Sequence, residues 1–268
     1  RGCPYHCEFC PETNISGGNA FYKRPIPEVI EEIKKIPQKT LMFYDASLTI
    51  DPSYTKELFH NMKGLHKRFF CNGNADVLAN DVELVRLSKK AGCAAWLIGF
   101  ESISQNTLDM VGKKTNKVTE YKKAIHAIHA NHMAVIGDFM FGFDADTPEV
   151  FAKTLNAIKE LHIDVADFSI LTPFPGTPLF TKLNEEKRIV TKEWTYYNMG
   201  HVVFIPKQMT SDELLQGVRL MYAEFYNPLV TIKRITRNLS RGLYPFVVVL
   251  MRNLLATLHA RRLKTSKN

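Results

Sequence analysis

Five short apolar runs, each followed by a stretch with apolar residues at three- and four-residue spacing, recur about every 30 residues along this chain. The runs are 40–45 (TLMFYD), 69–76 (FFCNGNAD), 94–102 (AAWLIGFES), 135–144 (VIGDFMFGFD) and 165–173 (VADFSILTP). Helical spacing fills the intervals: one segment starts near Tyr54 with Leu58, Met62 and Leu65, and others cover 82–91, 118–131 and 148–161. Thr147 and Pro148 read as a helix cap and first turn, and Gly92 and Asn131 stand where helices should end. Strands joined through helices must run parallel, because a hairpin cannot connect parallel neighbours. The fold class is therefore α/β. An open doubly wound sheet and part of a barrel both fit the pattern, and the pattern alone does not separate them.

In parallel α/β folds, ligands collect at the carboxyl ends of the strands. Those ends carry Asp45, then Asn72, Asn74 and Asp76, then Glu101 and Ser102, then Asp138 and Asp144, then Thr172. Any one of these reads equally well as a cap on the following helix. Five successive strand ends bearing polar groups read better as the wall of a shared pocket.

The densest chemistry stands ahead of the first run. Cys3, Cys7 and Cys10 form CxxxCxxC in a loop with Gly2 and Pro4, while Cys71 and Cys93 stand far apart. That makes a poor disulfide framework and a good set of soft-metal ligands for a reducing cytoplasm. A structural zinc site would need a fourth ligand, from His6 or a distant residue. Three thiolates on a cubane of four irons leave one iron open, as a catalytic centre requires. Cys71 and Cys93 read as small core residues. His126, His129 and His132, at three-residue spacing, lack the accompanying carboxylate or thiolate of a zinc site.

The run from Arg1 to Cys10, with Phe9 just before the third cysteine, resembles the signature loop of the radical S-adenosylmethionine superfamily. Further along, Ile98-Gly99-Phe100-Glu101-Ser102 resembles that fold's fourth-strand motif. Gly142-Phe143-Asp144 with Thr147 resembles its fifth-strand segment, and Leu171 to Pro178 (LTPFPGTP) its sixth. The resemblance implies a partial TIM barrel of six βα units. On that reading the five runs are strands two to six and the first strand is missing, so the chain reads as a piece of a longer protein.

The resemblance also implies the chemistry. A 4Fe–4S cluster on Cys3, Cys7 and Cys10 would bind S-adenosylmethionine (SAM) and cleave it reductively to a 5′-deoxyadenosyl radical, with a flavodoxin or ferredoxin as electron donor. Phe9 would meet adenine, and Glu101 and Ser102 would make polar contacts to the cosubstrate. Asp45 stands where relatives often carry Gly-Gly-Glu, here Tyr44-Asp45-Ala46, so capping competes with cosubstrate binding at that position. The segment 183–213 resembles the region after the barrel in cobalamin-binding-type members, which include hopanoid methylases and an oxidative cyclase of bacteriochlorophyll synthesis. Cobalamin itself would be held by a domain upstream. The expected reaction is methylation or C–H functionalisation of a small or lipid-like substrate. The alternatives are a radical enzyme like the tRNA methylthiotransferases and a non-catalytic iron–sulfur or zinc protein.

Charge separates the last segment from the rest. The chain holds 35 basic and 27 acidic residues, and no Asp or Glu follows Glu224. Nine basic residues lie beyond it, leaving 26 basic against 27 acidic in the body. The expected organisation is a radical core over 1–182, a post-barrel segment over 183–227 and a basic amphipathic helical tail over 228–268. Arg234, Arg237 and Arg241 are spaced to share one helical face, with Ile232, Ile235 and Leu239 on an apolar side. Such a tail suits either a helix packed across the barrel or one lying on an anionic membrane, so the expected location is cytoplasmic with a membrane-associated option. Nucleic acid is a poor fit, since the basic residues mix with aliphatics and not with stacking aromatics. The cluster Trp194, Tyr196, Tyr197 is expected to pack the barrel's end in preference to roofing the pocket.

Overall fold

A computed structural model describes residues 2–12 and 20–265, with side chains to residue 258. Its frame is one parallel sheet of five strands: β1 (Thr40–Phe43), β2 (Arg68–Asn72), β3 (Cys93–Glu101), β4 (Ala134–Phe141) and β5 (Val165–Ile170). Their spatial order is β1-β2-β3-β4-β5, and all four pairings are parallel. A doubly wound sheet reverses its strand order partway, whereas a barrel sector keeps chain order, so the architecture is part of a barrel.

The connecting helices pack on the outer face. They are α1 (Ile26–Lys35), α2 (Pro52–Met62), α3 (Ala75–Asn80), α4 (Val82–Ala91), α5 (Gln105–Met110), α6 (Tyr121–Ala130) and α7 (Glu149–Glu160). α1 shows the logic: Ile26, Ile30 and Ile33 fall on one stripe, and that stripe is the buried one. Between sheet and helices lies an aromatic core in which Trp96, Phe59, Phe69, Phe100 and Phe139 are fully buried. Phe59 stacks on Phe69 at 5.6 Å and Phe100 on Phe139 at 5.5 Å. Burying each such ring stabilises the fold by about 1.5–3 kcal/mol. Cys71 and Cys93 lie in this core.

Helix ends follow the sequence with one correction. Asp51 accepts from Tyr54 N at the start of α2, Asp81 from Leu84 N at α4, and Asn131 closes α6. Gly92 ends α4 at φ 109°, where a side chain would also run into the Lys67 carbonyl. Thr147 does not cap α7. Its hydroxyl turns to the Glu149 carboxylate, and Pro148, which has no side-chain donor or acceptor to offer, stands at the cap position.

After β5 come α8 (Pro178–Glu185), α9 (Ser211–Phe225), α10 (Pro228–Arg237) and α11 (Leu243–Thr265). β5 is an edge strand, and an open edge is a liability. Here alternate backbone N–H groups find partners: Ala166 N donates to Tyr226 Oη (3.1 Å), Phe168 N to Tyr222 Oη (3.2 Å) and Ile170 N to the Met199 carbonyl (2.8 Å). Thus α9 closes the edge with two tyrosine hydroxyls. Its start carries a capping box between Thr210 and Glu213.

The tail differs from a surface-seeking amphipathic helix. Val249 packs against Ala95, Ala134, Ile136 and Val165 on the sheet's inner face, with Ile235 and Val248 beside it. The arginines turn inward. Arg234 lies over the Phe225 ring at 3.8 Å and bonds Asn253 Oδ1 at 2.6 Å. Arg241 and Arg237 reach the fully buried Asp164, at 2.7 and 3.4 Å, and Arg252 pairs with Asp167. Ile232 and Leu239 are exposed instead. The buried carboxylate of Asp164, at the base of the barrel, outcompetes solvent for Arg237 and Arg241. The basic residues from Arg261 to Lys267 lie outside the described side chains. Among the described residues, no helix is long and apolar enough to cross a membrane.

Candidate active site

The cysteine loop is tied to the barrel by its own backbone. Cys10 N donates to the Cys7 carbonyl (3.1 Å), Glu8 N to the Val111 carbonyl (3.0 Å), and Leu179 N, in the first turn of α8, to the Glu8 carbonyl (3.0 Å). Cys7 is buried, Cys3 and Cys10 are partly exposed, and none is in a disulfide. Burial pushes the Cys7 thiol up to about 11 and raises Cys10 as well, and in both the neighbouring cysteines of the loop add to the rise. The thiols are therefore close enough in the loop to feel one another's charge. Among the described residues, no three His, Cys, Asp or Glu side chains are drawn together as a single bound ion would require.

Lys113, which the sequence did not single out, lies close enough to Cys7 and Cys10 to feel their charge. Its Nζ lies 3.0 Å from Glu101 Oε1, and both side chains are largely buried. Burial opposes its charge, but Glu101 and the thiols of Cys7 and Cys10 outweigh this and hold the ammonium well above lysine's ordinary pKa.

Glu101 is aimed by its backbone. The strand register slips between Gly99 and Glu101, and Glu101 takes φ 60°, a left-handed conformation that costs a non-glycine residue on the order of 1–3 kcal/mol. Side-chain hydrogen bonds from Asn116 and Tyr121 hold the slip open. Asn116 Nδ2 donates to the carbonyls of Gly99 (2.9 Å) and Phe100 (2.8 Å), and Tyr121 Oη donates to the Ser102 carbonyl (3.0 Å). Gly99 is the complement: a Cβ there would stand 2.5 Å from Glu101 Oε1 and 3.4 Å from Lys113 Nζ.

A cavity of about 1320 Å³ opens at the carboxyl ends of the strands. Phe9 and Cys10 form one side, Glu101, Asp138, Asp167 and Thr172 project from the strands, and α9 presents Leu215, Val218, Arg219 and Tyr222 along one face. Tyr196 also lines it, whereas Tyr197 is buried and bonds the Thr191 carbonyl (2.7 Å), so the aromatic cluster divides between roof and packing. Phe9 packs edge-on against Phe143 at 5.9 Å. Asp138 sits deep, and its pKa is raised well above the carboxylate range by burial and then by Asp167, its cross-strand neighbour.

Not every polar strand end joins this wall, as the sequence had implied. Ser102 is buried and accepts from Ser104 N (3.1 Å), a local turn contact. Asp45 lines a separate cavity of about 330 Å³ with Tyr54 and Asp51, and its carbonyl accepts from Asn72. Asp76 accepts from Val77 N, and Asp144 is held by Arg188, Lys182 and Lys207. Asp146, two residues on, is the buried group that shapes this loop, accepting from Gly142 N and Phe143 N at 3.0 Å each. His129 turns to Asp164 at 2.9 Å while His126 and His132 are exposed.

Comparison with known proteins agrees with this arrangement. The Radical SAM superfamily profile matches residues 1–171. The bacteriochlorophyllide d C-12(1)-methyltransferase of Chlorobaculum tepidum is 30% identical over 240 residues, covering 87% of this chain and 52% of that protein. The anaerobic magnesium-protoporphyrin IX monomethyl ester cyclase of Cereibacter sphaeroides is 30% identical over 234 residues, covering 84% of this chain and 37% of that one. The chain thus spans about half the length, or less, of these relatives. In fold it is similar to the radical SAM methyltransferase TsrM of Kitasatospora setae, solved with cobalamin and a 4Fe–4S cluster bound (TM-score 0.63, 20% identity, 69% of this chain and 38% of that one). With the thiol loop before the barrel, the parallel strands in chain order and the cavity at their carboxyl ends, this chain belongs to the radical S-adenosylmethionine superfamily.

Proposed function

We propose that the chain is the catalytic core of a cobalamin-dependent radical SAM methylase or cyclase acting on a large, mostly apolar substrate. The observation that carries this reading is the cavity itself. At about 1320 Å³ it exceeds the usual range of a single small-ligand site, roughly 300–1,000 Å³, and Cys10 and Phe9 form part of its wall. There is room for a cosubstrate and a second, bulky molecule together.

The thiol loop fits a 4Fe–4S cluster by the chemistry of its donors: three free cysteines in one short loop, with a lysine ammonium near two of them. When bound, the cluster and SAM supply a 5′-deoxyadenosyl radical for hydrogen abstraction. The chain's own residues hold and shield. Lys113 offsets the negative charge of the ligated loop. Glu101, aimed by the register slip, offers its carboxylate to SAM, and Phe9 offers a flat apolar edge to adenine. Ser102 keeps the turn behind Glu101 in place, and Asp45, in its own cavity, supports the sheet edge. Cys3, Cys7 and Cys10 hold the cluster.

Cobalamin would be held by a separate domain, and the electron would come from a small carrier such as flavodoxin or ferredoxin. The tail's role is structural in this reading. Arg234, Arg237, Arg241 and Arg252 already have partners, so they lend little to attraction by an anionic membrane. The experiment is anaerobic reconstitution with iron and sulfide, followed by measurement of 5′-deoxyadenosine formed from SAM under a reductant. Product above the level of a protein-free control supports the reading, and a cluster-loaded protein that never cleaves SAM rejects it.

A further inference from the structure

Arg219 is the one arginine or lysine among the described residues lining the main cavity. Its Nε is buried without an acceptor, and among the described residues the guanidinium forms no ion pair. An unpaired guanidinium on the wall of a cavity is free to pair with an anion that enters it. The other charges on the cavity wall are accounted for. Glu101 has Lys113 at 3.0 Å and Asp167 has Arg252. Burial and the neighbouring Asp167 favour the neutral form of Asp138. Asp212 is exposed in the first turn of α9, where the helix dipole favours it. Arg219 is the unmatched charge.

Its placement is built, not incidental. Residues 212, 215, 219 and 222 of α9 share one helical face, and that face borders the cavity. Tyr222 and Tyr226 pin the helix to the edge of β5, which keeps Arg219 on the cavity side of it. A guanidinium on a rigid helix offers paired N–H donors in the geometry of a carboxylate.

We infer that Arg219 anchors a carboxylate of the substrate, and that the substrate is a large apolar body bearing such a group, as a tetrapyrrole with propionate side chains does and a neutral polycyclic hydrocarbon does not. This rests on the cavity being the substrate site, as proposed above.

The test uses protoporphyrin IX, which carries two propionates, and its dimethyl ester in the same detergent. Binding to the reconstituted full chain is followed by quenching of porphyrin fluorescence. The diacid binds the wild-type protein roughly tenfold tighter than the diester, since a charge-assisted bond to a partly buried cation is lost on esterification. Arg219→Gln removes that preference by weakening the diacid alone, and Arg219→Lys, which keeps the charge, retains part of it. Iron content and unfolding temperature of both variants show that the fold and cluster survive. Equal binding of diacid and diester by the wild-type protein, or no binding of either, overturns the inference. So does a loss of affinity in Arg219→Gln for SAM in place of the diacid. SAM cleavage by the wild-type chain is read separately, so a failure there rejects the proposed function without touching the porphyrin result.

Discussion

Lys113 Nζ lies 3.0 Å from Glu101 Oε1 and close enough to Cys7 and Cys10 to feel their charge. One ammonium thus joins the strand-end carboxylate to the cysteine loop. Lys113→Met leaves a largely buried carboxylate unpaired, a change that costs about 3 kcal/mol. For a chain of this size that is a fall of roughly 6–12 °C in Tm. Calorimetry of the reconstituted protein checks the fall, and an unshifted Tm would mean that the pair is not buried in solution.

Gly99 leaves the space in which the Glu101 carboxylate lies. Gly99→Ala places a methyl group 2.5 Å from Glu101 Oε1, so the carboxylate must move while the cysteines stay where they are. The expected outcome is normal iron content with SAM affinity weakened on the order of tenfold, matching Glu101→Ala. Isothermal titration with SAM on the loaded protein measures it. Full affinity in both variants would assign Glu101 to structure alone.

Asp164 joins the tail to the barrel. It is fully buried, and it accepts from Val135 N (2.9 Å), Asn238 Nδ2 (2.9 Å) and Arg241 Nη1 (2.7 Å). Burial by itself would raise its pKa, but His129, Arg241 and Asn238 overcome this and hold the carboxyl well below the ordinary range. A depressed carboxylate contributes stability that is present above its unfolded pKa of about 3.9 and is lost as pH falls below it. Asp164→Ala leaves Arg241 buried without its partner and costs about 3–5 kcal/mol. Limited proteolysis then cuts between 227 and 243 where the wild-type protein resists. Equal resistance would show that the tail is held by other contacts.

Asp146 has the opposite sign. Burial pushes its pKa up to about 6, against the two backbone N–H groups that it accepts. A folded pKa above the unfolded value means stability that is fully present below about pH 4 and is lost as pH rises through 6. Asp146→Asn keeps an acceptor for Gly142 N and Phe143 N and has no charge to bury. Its stability relative to wild type therefore improves between pH 4 and pH 8, by about 3 kcal/mol. Denaturant titrations at the two pH values measure this, and a pH-independent difference would contradict it.

The sheet was legible in the sequence because parallel strands buried on both faces read as unbroken apolar runs, and β3 from Cys93 to Glu101 is the clearest case. The thiol loop was legible because its spacing is local. What escaped depends on contacts between distant segments. Lys113 is one lysine among many until the loop after α5 folds back toward Cys7. Asn116 and Tyr121 matter only because they hold the slip at Glu101. Tyr222 and Tyr226 have the spacing of ordinary core residues, and nothing local tells that their hydroxyls close the edge of β5. The tail misled for the same reason. Arg234, Arg237 and Arg241 do share a face, but the buried partners that draw that face inward, Asp164 above all, lie about 70 residues earlier in the chain.

The most direct measurement is 5′-deoxyadenosine formation by the anaerobically reconstituted chain, compared with Cys3→Ala, Cys7→Ala and Cys10→Ala and with Cys71→Ala and Cys93→Ala. Each substitution in the loop removes a cluster ligand, so each should lower or alter bound iron and abolish SAM cleavage, while the two core substitutions leave iron near the wild-type level. Zinc filling the anaerobic protein in place of iron, or SAM cleavage that survives loss of a loop cysteine, would contradict it.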